Sequence, residues 1–539
     1  MFRSTTIGGV LLSVAMHAQG PWNVPWYNPG PLFPQIAGST AHPTYPSPLH
    51  GPSIGYRIYL PPSYASQPQR LFPLIMVLPG YGSTEIWSVS DAWLIQAMVD
   101  GLIPEAVIVH MNPLGNCFWH DGATSTDAAV PVQAYSTVVN EMLPHLLATY
   151  RIGDRMEERA MIGFSMGGYG AFNLALRSGE FRNVISVDGS LRVPGNESAA
   201  FQFSCGNDPQ VINGHNIFTV LAGQSTNAMA LKHMILVASV NHADHNAFHQ
   251  QLVTAGASGS YEYLPSLSHE FDQFVSARGQ QMLAFLNAHL QVPALRLPLK
   301  VLLKAAYQPD STLMKAQLSM QGMVPLVEPF TAAGYVFENG TVNPPTSGDV
   351  LERTGADGVV DWVLVELRDT SSQATVVSAR AGLLLRDGRV VDADGTNTLR
   401  FSASPGLYRV TLRHRTHLRA TSAAPHPVWQ ITDTLDLSLG NTLFSGDSLA
   451  VGWCGDRRCL LAGDVNGDGS IRYSGANNDR DLILMRIGGE VPTSTVAGYF
   501  PEDLNLDGLV RYSGQQNDRD VILVGIGGQV PTLTISANP

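Results

Sequence analysis

The chain has 539 residues, of which 44% are hydrophobic and 14% are charged, and it carries a formal net charge of −12. This length is too great for one compact domain and indicates about three domains, while the apolar fraction is sufficient for a large buried core. The acidic balance argues against a nucleic-acid partner, because such partners select basic surfaces.

Residues 1–18 have the pattern of a secretory signal peptide. A short basic start at Met1–Arg3 precedes an apolar core over 7–16, and Ala18 offers a small residue for cleavage. The apolar core is too short to span a bilayer, and no later run reaches about 18 apolar residues. We therefore expect an exported protein without a transmembrane segment, either secreted or held at the cell surface. The alternative is an apolar N-terminal tail with no targeting role.

Residues 19–52 are rich in proline, glycine and aromatic residues and predict an extended arm. From 53 to 291 strand and helix patterns alternate, and continuous apolar runs such as 74–78 are typical of parallel strands buried on both faces. This alternation predicts an α/β domain with a doubly wound sheet, the α/β-hydrolase type. Further strands are expected at 56–60, 106–109, 160–162, 184–187, 234–239 and 261–264, and helices at 136–150 and 271–290.

A nucleophile-elbow motif lies within this domain. Residues 163–167 read Gly-Phe-Ser-Met-Gly, between the strand at 160–162 and a helical pattern at 169–176. Such a turn holds the serine in a strained backbone conformation that projects its hydroxyl group. Glycine is needed on both sides because larger side chains would collide, and the helix N-terminus directs N–H groups toward a developing oxyanion. We therefore predict Ser165 as a nucleophile.

A serine hydroxyl group needs a base, and the base needs an orienting acid. In this fold the order along the chain is Ser, then Asp or Glu, then His. His269 fits the base, because it lies between the last expected strand and the closing helix. The acid is expected at Asp244, which follows the strand at 234–239, and Asp188 after the strand at 184–187 is its rival.

Two backbone N–H donors are expected to form an oxyanion hole. Met166 follows the nucleophile and supplies the first donor. Tyr81, in the glycine-containing loop after the strand at 74–78, supplies the second. Because serine, histidine and aspartate suffice for acyl transfer, no cofactor is expected for catalysis.

A histidine cluster around Asp244 raises the alternative of a metal site. His245 and His249 are four residues apart, a spacing that can place two ligands on one helix face, and His242 lies close by. The glutamate of a His-Glu-x-x-His motif is absent, so the pattern favours the polar start of a helix.

Five segments of this domain carry a family resemblance. They read YRIYLP at 56–61, LPGYG at 78–82, EMLP at 141–144, GFSMGG at 163–168 and SHEF at 268–271. On these segments, residues 53–290 resemble the esterase-D-like α/β hydrolases, which include feruloyl esterases, S-formylglutathione hydrolases and mycolyltransferase-type enzymes. The resemblance implies a hydrolase of carboxylic esters with a Ser-His-Asp triad.

The leading hypothesis is a secreted serine carboxylesterase that acts on acyl groups of polysaccharides, such as feruloyl or acetyl esters, or on another extracellular ester. A hydrolase of polyester or cutin-like polymers is one alternative. An acyltransferase, in which an alcohol replaces water in deacylation, is another. A third is a surface adhesin or scaffold protein with a degenerate hydrolase domain, but the ordered presence of all three triad residue types argues against it.

Beyond a boundary at 292–298, the pattern changes to strands separated by turn residues. Strands expected at 361–367, 375–386 and 407–412 predict an all-β, sandwich-like module over 299–460. Four cysteines are present, and export permits disulfides. Pairing of Cys454 with Cys459, pairing of Cys117 with Cys205, and free buried thiols all remain open.

Residues 461–539 contain an internal repeat. Segments 463–493 and 502–532 are identical at 20 of 31 aligned positions without a gap. Each begins like a calcium loop, with oxygen-bearing side chains at positions 1, 3 and 5, glycine at position 6 and a residue at position 7 that could ligate through its backbone carbonyl oxygen. Because glycine replaces the usual acid at position 12, we expect an enlarged loop closed by a later aspartate. The expected ligands are Asp464, Asn466, Asp468, Ser470, Asp481, Asp503, Asn505, Asp507, Leu509 and Asp520.

The repeats resemble dockerin-type calcium modules with a longer loop. Together with the β region, on segments 361–368 and 405–410, they also resemble C-terminal modules of secreted and surface proteins of Bacteroidetes. The resemblance implies display, anchoring or spacing through a cell-surface or scaffold partner, with no catalytic residues. Turn formation by Asp and Gly without an ion is the alternative to calcium binding.

Overall fold

The computed structural model describes residues 37–51, 53–85, 91–123, 132–338, 343–372, 374–440, 444 and 451–537. The chain divides into two compact units, Met1–Pro293 and Ala294–Pro539. The division falls inside the boundary expected at 292–298. The β region and the repeats belong to one compact unit, although the sequence suggested two separate modules. The expected signal peptide and the first part of the arm lie outside the described residues.

The first unit contains eleven strands in its described residues. They are β1 (Ser39–Ala41), β2 (Thr44–Pro46), β3 (Ser53–Leu60), β4 (Leu74–Leu78), β5 (Val107–Met111), β6 (Asp121–Ala123), β7 (Val132–Gln133), β8 (Arg159–Phe164), β9 (Asn183–Val187), β10 (Lys232–Val237) and β11 (Ser258–Tyr263). Its helices are α1 (Asp91–Val99), α2 (Ala134–Ser136), α3 (Leu143–Thr149), α4 (Met166–Ser178), α5 (Ala199–Ser204), α6 (Pro209–His215), α7 (Ile217–Gly223), α8 (Ser225–Ala230), α9 (His242–Thr254) and α10 (Phe271–His289). A π-helical stretch at Thr137–Met142 joins α2 to α3.

One nine-stranded sheet organises this unit, in the order β1-β3-β5-β4-β8-β9-β10-β11, with β2 also paired to β3. Six strands run parallel to one another, in the sheet order β5, β4, β8, β9, β10 and β11, and β3 is antiparallel to β5. Because β8, β9 and β10 are parallel neighbours, their carboxyl ends meet at one edge of the sheet, where ligands bind in open α/β folds. The predicted doubly wound α/β sheet is confirmed.

The apolar runs are continuous because both faces of the sheet are covered. Every residue of β4 is buried, and its side chains alternate between the faces. Met76 joins a core cluster with Phe172 on one face, whereas Ile75 joins a second cluster with Phe274 of α10 on the other. Full burial of such a side chain contributes about 1.5–3 kcal/mol.

The described part of the arm adds strands that the sequence did not predict. β1 pairs antiparallel with β3 through Ser39 and Leu60, and β2 pairs with β3 through Tyr45 and Ile54. The arm is thus an edge of the sheet from residue 39 onward. Its proline content is compatible with this position, because an edge strand can lack ladder donors.

The second unit holds four α-helices in its described residues, α11 (Gln317–Met320), α12 (Gly348–Leu351), α13 (Asp479–Arg486) and α14 (Asp518–Gly525), and a 3-10 helix at Gly355–Asp357. No helix in the described ranges of either unit is long and apolar enough to cross a membrane. The strands of the second unit are β12 (Leu295–Leu297), β13 (Leu299–Lys300), β14 (Tyr307–Gln308), β15 (Leu313–Met314), β16 (Val359–Arg368), β17 (Val376–Leu385), β18 (Arg389–Val391), β19 (Leu399–Phe401), β20 (Gly406–His414), β21 (His417–Thr421), β22 (His426–Val428), β23 (Leu435–Asp436), β24 (Val451–Cys454), β25 (Arg457–Leu460), β26 (Ser470–Arg472), β27 (Thr495–Ala497), β28 (Leu509–Arg511) and β29 (Thr534–Ser536).

An eight-stranded sheet dominates the β region, in the order β21-β20-β16-β17-β18-β13-β23, with β22 on β20. Its strands β16, β17 and β20 match the three predicted strands to within a few residues. All ten residues of β16 are buried, so both faces of this strand are covered. The other described strands form two-stranded sheets, so one large sheet with small satellites replaces the expected pair of facing sheets.

The two repeats are joined by reciprocal strand pairing. β26 of the first repeat pairs antiparallel with β29, which follows the second repeat. β28 of the second repeat pairs with β27, which follows the first. One apolar cluster includes Ile483 of the first helix and Ile522 of the second, so the repeats share a core.

All four cysteines are free thiols. Cys117 and Cys205 are buried in the first unit. Cys454 and Cys459 lie on the β24–β25 hairpin, where a hydrogen bond between the two thiols raises the pKa of Cys459 and lowers that of Cys454. Of the alternatives left open by the sequence, the structure therefore has the free thiols.

Candidate active site

Ser165 occupies a sharp turn between β8 and α4. Its backbone has φ 56° and ψ −116°, a conformation that L-residues rarely adopt, and it caps the N-terminus of α4. The flanking glycines are required by contact distances: a Cβ atom on Gly163 would lie 2.0 Å from the carbonyl oxygen of Gly167. A Cβ atom on Gly167 would lie 2.0 Å from the carbonyl oxygen of Leu78. This is the predicted elbow geometry.

His269 joins Ser165 to an aspartate. Its Nε2 atom is 2.9 Å from Ser165 Oγ, and its Nδ1 atom is 2.6 Å from Asp188 Oδ2. The histidine side chain is 54% exposed, whereas that of Asp188 is 1% exposed. The ring of Phe164 packs against the imidazole at a centroid distance of 4.7 Å and helps to fix its orientation. The predicted pair of Ser165 and His269 is thus brought together.

Asp188 lies directly after β9 and is held by several donors. Its Oδ1 atom accepts hydrogen bonds from the backbone N–H groups of Ala238 and Ser239, each at 3.0 Å. Burial alone would raise the pKa of this carboxyl group. The hydrogen bonds from His269 and the two N–H groups outweigh burial, so the pKa of Asp188 is below its ordinary value. A buried, ionised carboxylate therefore faces the imidazole.

Asp244 is not the partner of His269, and the expectation that named it is wrong. It lies in the first turn of α9, and its Oδ2 atom accepts from the Asn196 side chain at 2.6 Å and from the Val193 N–H at 3.4 Å. The loops after β9 and β10 leave the same sheet edge, so chain order alone could not choose between them. In the structure, the loop after β9 brings the rival candidate, Asp188, into contact with His269.

The two residues predicted as oxyanion donors border the same cavity as Ser165. Met166 is the first residue of α4, where a backbone N–H has no partner within the helix. Tyr81 and Met166 both line the cavity that contains Ser165. On the far side of Tyr81, the Gly82 N–H donates to Asn116 Oδ1 at 2.7 Å, which ties the loop after β4 to the segment after β5.

The cavity beside Ser165 has a volume of about 330 Å³. One part of its wall is apolar or aromatic and another is polar, as is usual for sites that bind small organic groups. Its lining residues are Tyr81, Phe118, Ser165, Met166, Asp188, Gly189, Ser190, Arg192, Ser198, Ala200, Ala238, Ser239, Leu267 and His269. An ester carbonyl group could therefore reach Ser165 with hydrocarbon and polar substituents on different sides.

Several residues of the site have no sequence motif. Phe118 and Arg192 line the cavity, but no pattern in the sequence singled out either residue. Glu85, fully buried, accepts from the Asn112 side chain at 3.0 Å and lies 3.2 Å from His42 Nε2, so the arm reaches the base of the Tyr81 loop. Such long-range contacts leave no local pattern in the sequence.

The histidine cluster near Asp244 does not converge on one point. His245 is buried between the carbonyl oxygens of Asn241 and Gly189, at 2.9 and 2.5 Å. His249 contacts His233 at 2.8 Å, and His242 stacks on Tyr263 at a centroid distance of 3.9 Å. Across the described residues, no group of three or more His, Cys, Asp or Glu side chains is arranged to hold a metal ion. The metal alternative at α9 is therefore not supported.

The helix aspartates that form hydrogen bonds with the repeat loops are not the ones that were predicted to close them. Asp481 and Asp520 lie in the first turns of α13 and α14, where each accepts from the side chain of the capping asparagine, Asn478 or Asn517, and pairs with the preceding arginine. The buried Asp479 and Asp518 instead accept backbone N–H groups of the loops, from Val465 and Arg472 in the first repeat. The carboxylates that contact the loops are thus those of Asp479 and Asp518, and not those of Asp481 and Asp520 as expected.

The remaining loop residues that were expected as ligands cluster at the loop starts. Asp464 and Asp503 are buried and accept from Gly469 and Gly508 N–H. Five other expected ligands form side-chain hydrogen bonds with neighbouring groups: Asn466, Asp468, Ser470, Asn505 and Asp507. Leu509 has no polar side chain and offers only its backbone carbonyl group. One atom stands apart: Asp464 Oδ1 is buried without a hydrogen-bond partner in the described residues. An oxygen of this kind fits a hard cation.

The segment around the elbow is similar to known esterases. Residues 47–201 match the family model "Esterase: Putative esterase". Two curated relatives, Esterase Rv1288 and Esterase MT1326 of Mycobacterium tuberculosis, are each 28% identical over 141 residues. These matches cover 26% of this chain and 30% of each relative, so the chain spans about a third of their length.

Solved structures with a similar fold include an S-formylglutathione hydrolase from Agrobacterium tumefaciens, at 18% identity and a TM-score of 0.40 over 48% of this chain and 98% of that chain. A ferulic acid esterase has 18% identity and a TM-score of 0.39 over 47% and 98% of the two chains. The family match contains Ser165 and Asp188 and ends before His269. The family match, together with the parallel sheet described above, gives the N-terminal region an esterase-type α/β-hydrolase fold.

Proposed function

We propose that this protein hydrolyses carboxylic esters through an acyl-enzyme formed on Ser165. The observation that carries the proposal is the hydrogen-bonded chain from Ser165 Oγ through His269 to Asp188, which opens on the cavity of about 330 Å³. The Esterase match over 47–201 supports it. A nucleophile, a base and an orienting acid in this order are the minimum for acyl transfer.

The mechanism follows from these contacts. Asp188 accepts a hydrogen bond from the Nδ1–H group of His269, so that Nε2 is left to take the Ser165 proton as Oγ attacks the ester carbonyl. The Met166 and Tyr81 N–H groups stabilise the oxyanion, a contribution of roughly 10²–10³ in kcat for each such donor. His269 then protonates the leaving alcohol. Water, activated by the same imidazole, releases the acid and restores Ser165.

We propose further that the substrate is extracellular and polymeric, with feruloyl or acetyl groups on a polysaccharide as the first candidates. The signal-peptide pattern at 1–18 supports export, and the cavity opens to solvent beside the half-exposed His269. The β region and repeats would display the enzyme or attach it to a surface or scaffold partner. Polyester hydrolysis and acyl transfer to an alcohol use the same acyl-enzyme, so product analysis must separate them.

The test is hydrolysis of a panel of aryl, acetyl, feruloyl and polyester substrates by the wild type and Ser165→Ala. We expect the wild type to release acid and Ser165→Ala to be reduced to background, because no other nucleophile occupies the turn. Added alcohols would divert the product if the chain were an acyltransferase. Activity should appear in the culture medium; equal activity of the two proteins, or retention inside the cell, would contradict the corresponding proposal.

A second function is favoured by the buried carboxylates of the repeats. We propose that the loops bind calcium through Asp464 and Asp479 in the first repeat and Asp503 and Asp518 in the second, together with amide and carbonyl oxygens. Burial, and then the charge of Asp479, raises the pKa of Asp464 to about 7. Burial raises the pKa of Asp479 to about 6. A divalent cation would neutralise such pairs and order the loops.

The pH dependence of stability gives the test for calcium. The pKa of Asp464 is raised from 3.8 to about 7 on folding, so the folded chain binds this proton more tightly. Without an ion, the contribution of this group favours folding at low pH and is lost as pH rises from about 4 to about 7. Bound calcium replaces the proton and removes that loss. Thermal melting of the full chain should therefore show stabilisation by calcium over chelator at about pH 8 and little at about pH 4.

Asp464→Asn combined with Asp503→Asn is the matched variant for this measurement. It removes one charge from each buried pair without changing side-chain volume, so its calcium response should be much smaller. Melting of the wild type that is identical with calcium and with chelator at about pH 8 would rule out the calcium proposal.

A further inference from the structure

The cavity beside Ser165 contains a cation that ester hydrolysis does not require. Arg192 lines this cavity together with Ser165 and His269. It also lines a smaller adjoining pocket with Tyr169, Phe201 and other residues. Arg192 therefore borders the space that a substrate would occupy.

Arg192 lacks the partners that a half-buried arginine usually has. Its Nε atom is buried and has no hydrogen-bond partner in the described residues. Burial lowers the pKa of Arg192, and the charges of Asp244 and Asp188 act in the opposite direction. A buried donor without an acceptor destabilises the folded chain, so this position is explained better by a ligand than by stability.

The carboxylates around Arg192 are already engaged by other donors. Asp188 is bonded to His269 and two backbone N–H groups, and Asp244 is bonded to Asn196 and the Val193 N–H. Glu197, which lines the adjoining pocket, accepts from the Gly195 N–H at 2.9 Å and from the Asn216 side chain at 2.7 Å. None of these hydrogen bonds involves the Arg192 guanidinium group, so a carboxylate that enters from the cavity would supply the partner that is missing among the described residues.

We propose, on the basis of the ester-hydrolase function above, that Arg192 binds a carboxylate carried by the substrate. The substrate class is then an acidic ester, either a half-ester of a dicarboxylic acid or an acyl ester of an alcohol that itself bears a carboxylate. A guanidinium group presents paired donors that match a carboxylate in two parallel hydrogen bonds. Phe118 and Leu267 on the cavity wall would contact the hydrocarbon between the carboxylate and the ester.

The experiment compares matched anionic and neutral esters on both sides of the scissile bond. The acyl pair is 4-nitrophenyl hydrogen succinate and its methyl-capped diester, and the alcohol pair is 4-acetoxybenzoate and its methyl ester. The readout is the ratio of kcat/KM for the anionic ester to that for the neutral ester. In at least one pair, we expect this ratio to be about tenfold or more higher in the wild type than in Arg192→Gln, the size of a charge-assisted contact.

Two further variants make the result specific. Arg192→Lys keeps the charge but loses the paired donors, so its ratio should lie between those of the wild type and Arg192→Gln. Arg278→Gln removes an equal charge from a pair with Glu262 that is not among the cavity-lining residues, and its ratio should equal that of the wild type. Melting curves establish that each variant is folded.

The outcomes separate this proposal from the function on which it rests. Hydrolysis of neither member of either pair by the wild type would refute the ester-hydrolase function itself. Hydrolysis with ratios that are the same in the wild type and Arg192→Gln for both pairs would refute the role of Arg192 alone. An equal fall of the ratio in Arg278→Gln would show a long-range charge effect and would also overturn it.

Discussion

Asp188 accepts three hydrogen bonds at once, which fixes both its charge and its direction. The N–H groups of Ala238 and Ser239 hold one carboxylate oxygen, so the other points at Nδ1 of His269. This arrangement keeps the Nδ1 proton on the imidazole and leaves Nε2 as the acceptor for Ser165. Because the pKa of Asp188 is lowered, the acid stays ionised at mildly acidic pH.

Replacement of Asp188 by Asn should lower kcat by roughly 10³–10⁴, because the amide would stabilise the wrong imidazole tautomer. Asp244→Asn is the matched control: it makes the same chemical change at a residue that contacts Asn196 rather than His269. We expect a much smaller loss of kcat for the control. Steady-state kinetics on an aryl acetate would decide, and a larger loss for Asp244→Asn would refute the assignment of Asp188.

The sequence was sufficient for Ser165 and His269 but not for the acid. Ser165 has glycines at fixed offsets because the turn admits no other residue, and His269 lies between the last strand and the last helix. The choice between Asp188 and Asp244 depends on which loop bends toward the imidazole, and this is decided by tertiary contacts. Arg192 was missed for the same reason, since an unpaired cation has no pattern of its own.

At the scale of elements, the turn between β8 and α4 depends on backbone approach rather than on side-chain packing. A Cβ atom on Gly163 would lie 2.0 Å from a backbone oxygen, which cannot move without displacing α4. The elbow therefore has a strained backbone at Ser165 and a close backbone contact at Gly163.

Gly163→Ala should accordingly lower the melting temperature and reduce kcat strongly, because α4 must shift away from β8. Gly214→Ala is a suitable control, since a Cβ atom there would meet nothing within 4 Å in its helix, α6. The control should be neutral or slightly stabilising, as alanine is a better helix former than glycine. Differential melting and kinetics on the two variants would test this. Comparable damage in both would contradict the steric account.

Buried strands were predicted best among the elements. β4 was located at its observed ends, 74–78, because a continuous apolar run reports burial on both faces. β1 and β2 were missed because short edge strands rich in proline and polar residues have no such run. The expected sandwich also differs from the single large sheet, since strand patterns report alternation and burial but not which strands are neighbours.

At the scale of the whole molecule, every residue of the candidate active site belongs to the first compact unit. Ser165, Asp188, His269 and the lining of the cavity all precede Pro293. The candidate catalytic residues are therefore encoded in one part of the chain, and the β region and repeats in another.

A chain that ends at Pro293 should retain the kcat and KM of the full chain for a small aryl ester. The reason is that the sheet, both apolar clusters of the unit and the site lie before this residue. Ser165→Ala in the shortened chain would provide the background rate. A shortened chain that is folded by circular dichroism but inactive would contradict this separation.

The reciprocal pairing of the repeats has a consequence for proteolysis. β29 pairs with β26, and the Ala537 N–H donates to the Gly469 carbonyl oxygen inside the first loop. Proteolytic removal of β29 would thus open the first repeat, which lies far away along the chain, while the pairing of β27 with β28 stayed intact. Nicks between the repeats, by contrast, would leave both strand pairs joined and could pass unnoticed in a melting curve.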